Sequence, residues 1–414
     1  MSDDRPRLRP LDGYPVTQNG QKMFTLRDPS LVTERTATLP PAAVAVIQLC
    51  DGHTTRDEIC AEFFKRYRQK LARPALDGLL ASLDDAFLLD SDRFRQHSAK
   101  LFGEFAQAES RAPLHAGRSY PKDADALRKQ LDMYFEPPNG PGKPSPGTGE
   151  LPRALVVPHV DFHRGGPAYA WAYKPLADAK EKPEAIVVLG TDHNGADHVF
   201  TLTAKHFETP LGTVKTDVGL VRDLAEKTKH LKGGGAGLFT DEHHHRGEHT
   251  IEFQMVWLKH LLGDALDGIP VVPVLCGAMH DLMMTEDDPF KDERVGGFLL
   301  TLASLLEGKR VLWIAGADLA HVGPRYGDTE PLNADDRTSL EKRDNVTLAP
   351  VVEGDALGWF SSIRAEQDRR RVCGLTPIYA MLAAANPGKG HLAVYAQCPA
   401  EEGSVVSIAS IVYP

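Results

Sequence analysis

The sequence predicts an α/β protein, a mainly parallel or mixed sheet flanked by helices, with a small winged-helix domain ahead of it. Three observations predict this. From Leu155 onward, apolar runs of strand length alternate with helical stretches, the pattern of strands and helices layered around a sheet. Three of those runs, 154–157, 186–189 and 311–314, are each followed closely by a histidine: His159, His193 and His321. Residues 23–92 instead carry short amphipathic helices and one brief closing apolar run.

Taken in order, residues 1–22 read as a loose leader rich in Pro, Arg and Asp. Residues 23–26 form a short strand. Pro40-Pro41 opens a helix over 42–49, which Asp51-Gly52 ends. Thr55 is suited to cap a helix over 56–67, because its hydroxyl can bond a free amide of the first turn. Ile59, Phe63 and Tyr67 are spaced four apart and share a face. A helix over 71–83 and a strand over 86–89 complete the winged-helix pattern of 23–92. Arg68, Lys70 and Arg73 make a small basic cluster, but Asp84, Asp85, Asp90 and Asp92 follow closely and weaken a DNA-binding reading.

Residues 93–114 read as a helical connector and 115–414 as the α/β domain. That domain opens with a helix over 123–135. The Pro- and Gly-rich stretch 136–149 is a surface loop. Strands are expected at 154–157, 186–189, 271–275, 311–314, 392–396 and 404–411. A turn at Gly165-Gly166-Pro167 precedes a helical stretch over 168–174.

Composition narrows the function. The net charge of −10 argues against a general nucleic-acid surface, which needs basic groups to displace counterions. No run approaches the ~18 apolar residues of a membrane span, and the first residues lack the apolar core of a signal peptide. The expected location is the cytoplasm. The five cysteines show no Cys-x-x-Cys spacing, so a disulfide framework is not expected there. Histidine is abundant, 17 residues, with many between His159 and His321, which points to a metal.

The carboxyl edge of an open α/β sheet is where ligands bind. His159 and His193 are separated by one strand–helix–strand unit, so neighbouring strands could put both imidazoles on one rim, suited to Fe, Cu, Zn or Ni. Asp318 stands three residues before His321 and could orient it, or His321 could act alone as a general base. The run Asp241-Glu242-His243-His244-His245 reads as a solvated loop. Glu248 and His249 differ, because they open an apolar helical run, and a helix start near the rim binds anions. The zinc-protease order His-Glu-x-x-His is absent. Cys276 and Cys373 could both reach a rim, and chemistry alone does not choose between them.

Two resemblances sharpen this reading. Residues 23–91, through Leu49-Cys50-Asp51-Gly52-His53-Thr54-Thr55 and Ala86-Phe87-Leu88-Leu89, resemble the PqqD-like peptide-recognition fold. From His115 to the C-terminus the chain resembles the MEMO family, the MEMO-like component of the AmmeMemoRadiSam system. The motifs are His115-Ala116-Gly117 with Tyr120, Pro158-His159, Leu189-Gly190-Thr191-Asp192-His193, Thr209-Pro210-Leu211-Gly212, Glu248-His249-Thr250-Ile251-Glu252, Asp318-Leu319-Ala320-His321 and Cys373-Gly374. That family is similar in fold to class III extradiol dioxygenases.

The resemblance implies that His159, His193 and Cys373 hold a transition metal. It implies His321 as the acid–base histidine with Asp318 beside it, and sets Cys276 aside. Glu248, His249, His163, Asp161 and Asp192 would line the substrate side. Asp161 and His163 are departures from the usual Pro-His-Ala-Gly-Tyr, as Asn194 is from Ser-His-His. A thiolate favours iron or copper over hard ions such as magnesium, and zinc remains possible. The expected protein is a redox metalloenzyme acting on an unknown small-molecule substrate, with peptide, radical-SAM or AMMECR1-like protein partners and neither nucleic acid nor membrane. Ring cleavage does not transfer on fold alone. The alternatives are a non-catalytic partner-binding module with a vestigial site, and a zinc hydrolase.

Overall fold

A computed structural model describes residues 4–285 and 288–414. The chain divides into two compact units, 1–107 with 324–330 and 108–323 with 331–414. The stretch 93–114 is therefore shared between them rather than standing apart.

In the first unit, β1 (Asp12–Gln18), β2 (Gln21–Arg27) and β3 (Ala37–Leu39) form an antiparallel sheet in that order. The expected leader thus supplies an edge strand. The cause is Asn19-Gly20, whose φ of +51° and +75° make a two-residue turn with the twist that hairpins need. Four helices follow: α1 (Pro41–Ile47), α2 (Arg56–Tyr67), α3 (Arg73–Asp85) and α4 (Asp92–Gln107). Thr55 caps α2 through the Glu58 amide, and the Glu58 carboxylate returns a bond to the Thr55 amide at 2.8 Å. Ile59, Phe63, Leu76, Leu80, Leu83 and Leu88 form the core. Residues 86–89 are not a strand: the backbone turns left-handed at Phe87 (φ +61°), and Leu89 makes only an isolated bridge to Leu8.

The second unit is built on a mixed sheet of eight strands among the described residues. A separate three-stranded sheet holds β4 (Ser110–Arg111), β8 (His206–Thr209) and β9 (Gly212–Val214). The main sheet comprises β5 (Ala154–Val157), β6 (Ala185–Thr191), β7 (Phe200–Leu202), β10 (Val271–Cys276), β11 (Val311–Gly316), β12 (His321–Val322), β13 (His391–Pro399) and β14 (Val405–Tyr413). Its order is β12-β14-β5-β11-β6-β10-β7, with β13 paired to β14. The inner strands β5, β11, β6 and β10 are parallel, and antiparallel β14 and β7 flank them.

Side chains alternate across the sheet. Ala154 and Val156 enter one core, with α7 (Val218–Thr228), α10 (Phe298–Leu305), α12 (Ala356–Ala365) and α13 (Leu375–Ala385). Leu155 and Val157 enter the other, with α5 (Ala124–Met133), α6 (Phe162–Asp178) and α9 (His249–Leu262). Both faces are covered, which is why the parallel strands read as unbroken apolar runs. The remaining helices are α8 (His244–Gly247) and α11 (Ala334–Val352).

Gly165-Gly166-Pro167 is not a turn. It lies inside α6, which begins at Phe162. Pro167 removes one helical bond, and the glycines are there for contact: a Cβ on Gly166 would stand 2.3 Å from the Tyr134 ring. Tyr134 is buried and bonded to Gln130, so it cannot swing aside. Gly166→Ala is expected to lower stability by about 1–2 kcal/mol despite the better helix propensity of alanine, read as a lower urea midpoint at unchanged slope.

Candidate metal centre

The strands β5 and β6 are not neighbours; β11 runs between them. Two strand spacings separate their ends, about 10 Å, yet the rings of His159 and His193 meet at 5.1 Å between centroids, nearly perpendicular. The two loops lean toward each other over the end of β11. The Gln254 amide holds the first loop through the Pro158 carbonyl (3.0 Å). Thr250 holds the end of β6 through the Thr191 carbonyl (2.9 Å). Thr191 in turn donates to the Cys373 carbonyl (3.0 Å). Gly374 must be glycine, because a Cβ there would stand 2.4 Å from the Asp318 carbonyl oxygen.

These contacts bring one donor atom each of His159, His193 and Cys373 within 4.8 Å of one another. Nδ1 of His159 lies 2.9 Å from the Gly316 carbonyl, an obligate acceptor. That bond keeps the proton on Nδ1 and leaves Nε2 as a lone pair. Nε2 is 3.2 Å from Cys373 Sγ. Two donors on one tetrahedral ion with bonds of about 2.1–2.3 Å would stand about 3.5 Å apart, so the set fits a transition metal. Burial holds His159 neutral, far below its ordinary pKa. It also pushes the Cys373 thiol up, against the opposing pull of His193, so metal binding there releases a proton.

Glu248 is the N-cap of α9, and its carboxylate organises the rest. It accepts from the backbone amides of His193 (2.9 Å), His249 (2.8 Å) and Thr250 (3.2 Å). It also lies 3.2 Å from Nδ1 of His193 and 2.9 Å from Nδ1 of His249. Burial alone would raise its pKa, but the two imidazoles and their bonds hold it well below the usual carboxylate range. The His249 ring stacks on His193 at 5.2 Å and meets His159 edge-on at 5.4 Å. Glu248, expected on the substrate side, contacts both imidazoles, and His193, Glu248 and His249 also bring one donor atom each within 4.8 Å of one another.

The other expected residues divide. Asp318 accepts the backbone amides of His159 (2.8 Å) and Val160 (3.3 Å), and its second oxygen lies 3.6 Å from His159 Nε2. Asp318 thus holds the His159 backbone in place, and its charge also acts on His321, where it opposes the effect of burial. His321 is not in a helical turn after Asp318 but in β12, its Nδ1 3.1 Å from the Leu319 carbonyl, and burial pushes its pKa down to about 4. Asp161 is the N-cap residue of α6, with its carboxylate 3.2 Å from Arg164, and His163 is exposed on the first turn. Asp192 is turned inward, its side chain fully buried against His244. Cys276 ends β10 as a buried thiol outside the cluster.

Sequence reading missed the layer beneath. Arg111, expected in a connector, is buried and donates to the carbonyls of His245 (2.6 Å) and Glu248 (2.9 Å) and to the Glu252 carboxylate. Tyr120 and the His115 amide also donate to Glu252. A signal existed: Glu252 interrupts an apolar helix, and a carboxylate so buried needs a cation.

Fold and site together define a class: a three-layer α/β protein with an imidazole–thiolate cluster, competent for a transition metal, at the carboxyl rim of its parallel strands. The chain belongs to the Memo-like protein family, whose sequence model matches residues 111–412. It is 30% identical to a MEMO1 family protein of Methanopyrus kandleri over 314 residues, 73% of this chain and 98% of that one. A MEMO1 family protein of Aquifex aeolicus is 24% identical over 370 residues, 89% of this chain and 88% of the relative. That match is longer than the family region and so reaches into the first unit. Another, from Methanocaldococcus jannaschii, is 29% identical over 278 residues, 66% of this chain and 86% of the relative. No helix among the described residues is long and apolar enough to cross a membrane.

Proposed function

We propose that this chain is a cytoplasmic redox metalloprotein that holds iron or copper through His159, His193 and Cys373 and acts on a small organic substrate at the sheet rim. The observation that carries the reading is the placement of the donors: Nδ1 of His159 faces the Gly316 carbonyl, Nδ1 of His193 faces the Glu248 carboxylate, and both histidines bring a donor atom close to the one thiol of Cys373. Two imidazoles and a thiolate favour soft and borderline ions over magnesium or calcium. The bound ion would supply electron transfer and Lewis acidity. The chain's own part is to orient the ligands through Glu248, Gly316 and Asp318, and to move a proton at His249 or His321. We assign peptide or partner recognition, including radical-SAM and AMMECR1-like partners, to the first unit, by its PqqD-like resemblance.

The test is anaerobic purification and iron or copper loading, followed by absorption spectroscopy and oxygen uptake with candidate substrates. A thiolate-to-metal charge-transfer band that vanishes in Cys373→Ala is expected, together with substrate-dependent oxygen uptake. A band unchanged in that variant would overturn the ligand set. Metal binding without uptake for any substrate would favour a non-catalytic module.

His321→Ala is expected to keep its metal and to lose about 100- to 10,000-fold in turnover, as removal of a general base does. Loss of metal instead would make His321 a ligand. Unchanged turnover would pass the role to His249, already packed on the ligand pair.

A further inference from the structure

The histidine run is not a solvated loop. His245 is buried, the His244 side chain is only 11% exposed, and the run leads into α8. Asp241, His243 and His244 each bring one donor atom within 4.8 Å of the others, and none of them belongs to the His159–His193–Cys373 set. A fourth residue supports the group. The carboxylate of Asp192, its side chain fully buried, lies 2.8 Å from Nδ1 of His244. The other Asp192 oxygen accepts the Asn194 amide (2.8 Å), so the carboxylate is held in place. A carboxylate on Nδ1 fixes the proton there and leaves Nε2 to bind, the arrangement found behind metal-ligating histidines. Asp241 is anchored in the same way, accepting the Asp197 amide at Oδ2 (3.0 Å). A simple His–Asp ion pair would explain His244 and Asp192, but not the gathering of His243 and Asp241 around them.

We propose that Asp241, His243 and His244 form a second metal site, which takes a borderline first-row divalent cation such as Zn2+. Two imidazoles and one carboxylate suit such an ion better than calcium or magnesium, which take oxygen donors. Three protein ligands leave a coordination position open. Asp192 and His193 are consecutive, so the two sites share the end of β6. This second site does not depend on the thiolate site.

The test uses full-length protein stripped of metal, reloaded with excess Zn2+ or Co2+ under reducing, anaerobic conditions, and counted by elemental analysis after gel filtration. The wild type should retain two equivalents. Cys373→Ala should retain one, and its Co2+ form should lack a thiolate charge-transfer band. The His243→Ala/His244→Ala double variant should also retain one, with that band intact. Asp192→Asn should weaken the second equivalent by about 10- to 100-fold without abolishing it. Asp241→Asn, nearly isosteric, reads the same loss should the double variant misfold.

A single equivalent that Cys373→Ala abolishes would overturn the proposal. So would a second equivalent that survives the double variant, which marks adventitious binding. A single equivalent that is insensitive to Cys373→Ala but lost in the double variant would support this site and sink the thiolate site instead.

Discussion

His159→Ala and His193→Ala are each expected to lose the metal of the thiolate site while remaining folded. Each histidine contributes one of the three donors gathered at the site, and Cys373 with a single imidazole is a poor substitute for the set. The loss should exceed the roughly 10- to 100-fold that removing a supporting residue costs. Glu248→Gln supplies that smaller value for comparison, since it keeps the shape of the cap but turns one acceptor oxygen into a donor facing other donors. The measurement is a Co2+ titration of stripped protein, followed at the thiolate band. Wild-type affinity in both alanine variants would refute the assignment. Wild-type affinity in Glu248→Gln would show that the carboxylate only caps α9.

Arg111→Ala should be among the most damaging single changes to stability. Arg111 and Glu252 are buried, with side chains 0% and 1% exposed, and pair directly. Removing the guanidinium strands the Glu252 charge and takes a donor away from the carbonyls of His245 and Glu248. Breaking a buried pair from one side costs about 3–5 kcal/mol. Arg111→Lys keeps the charge but not the fork that reaches both carbonyls, so it should fall between. Urea unfolding at constant slope reads both. A change below about 1 kcal/mol in the alanine variant would mean that water or a shifted partner replaces the guanidinium. The Arg111–Glu252 pair also decides where the chain can be cut, because the α/β domain expected from His115 excludes Arg111. A chain starting at His115 lacks Arg111 and should be comparably unstable, whereas one starting at Ala108 keeps it.

Much of this architecture was legible in the residues. Unbroken apolar runs of strand length such as 154–157 and 271–275 read as strands covered on both faces, and they are. Thr55 three residues before Glu58 marked the start of α2. The Asn19-Gly20 hairpin was equally local and was passed over, because the stretch around it looked like a leader by composition. Gly165-Gly166-Pro167 misled for a related reason. Glycine serves both as a turn residue and as room for a neighbour, and only Tyr134 packed on α6 distinguishes the two.

By itself the sequence determined the layered α/β class, the strand ends that carry His159 and His193, and the Glu248 start of α9. Local pattern suffices there, since strand length, alternation and capping are set by residues a few positions apart. Only the tertiary structure decided that β11 lies between the two histidine strands, that Glu248 grips two imidazoles, that Asp318 serves His159, and that the histidine run is buried against Asp192. Apart from the contact between neighbours Glu248 and His249, each of these joins groups from about fifty to more than a hundred and fifty residues apart, and such pairings are fixed by how the strands order themselves and by the need to satisfy every buried polar group. No spacing along the chain encodes them.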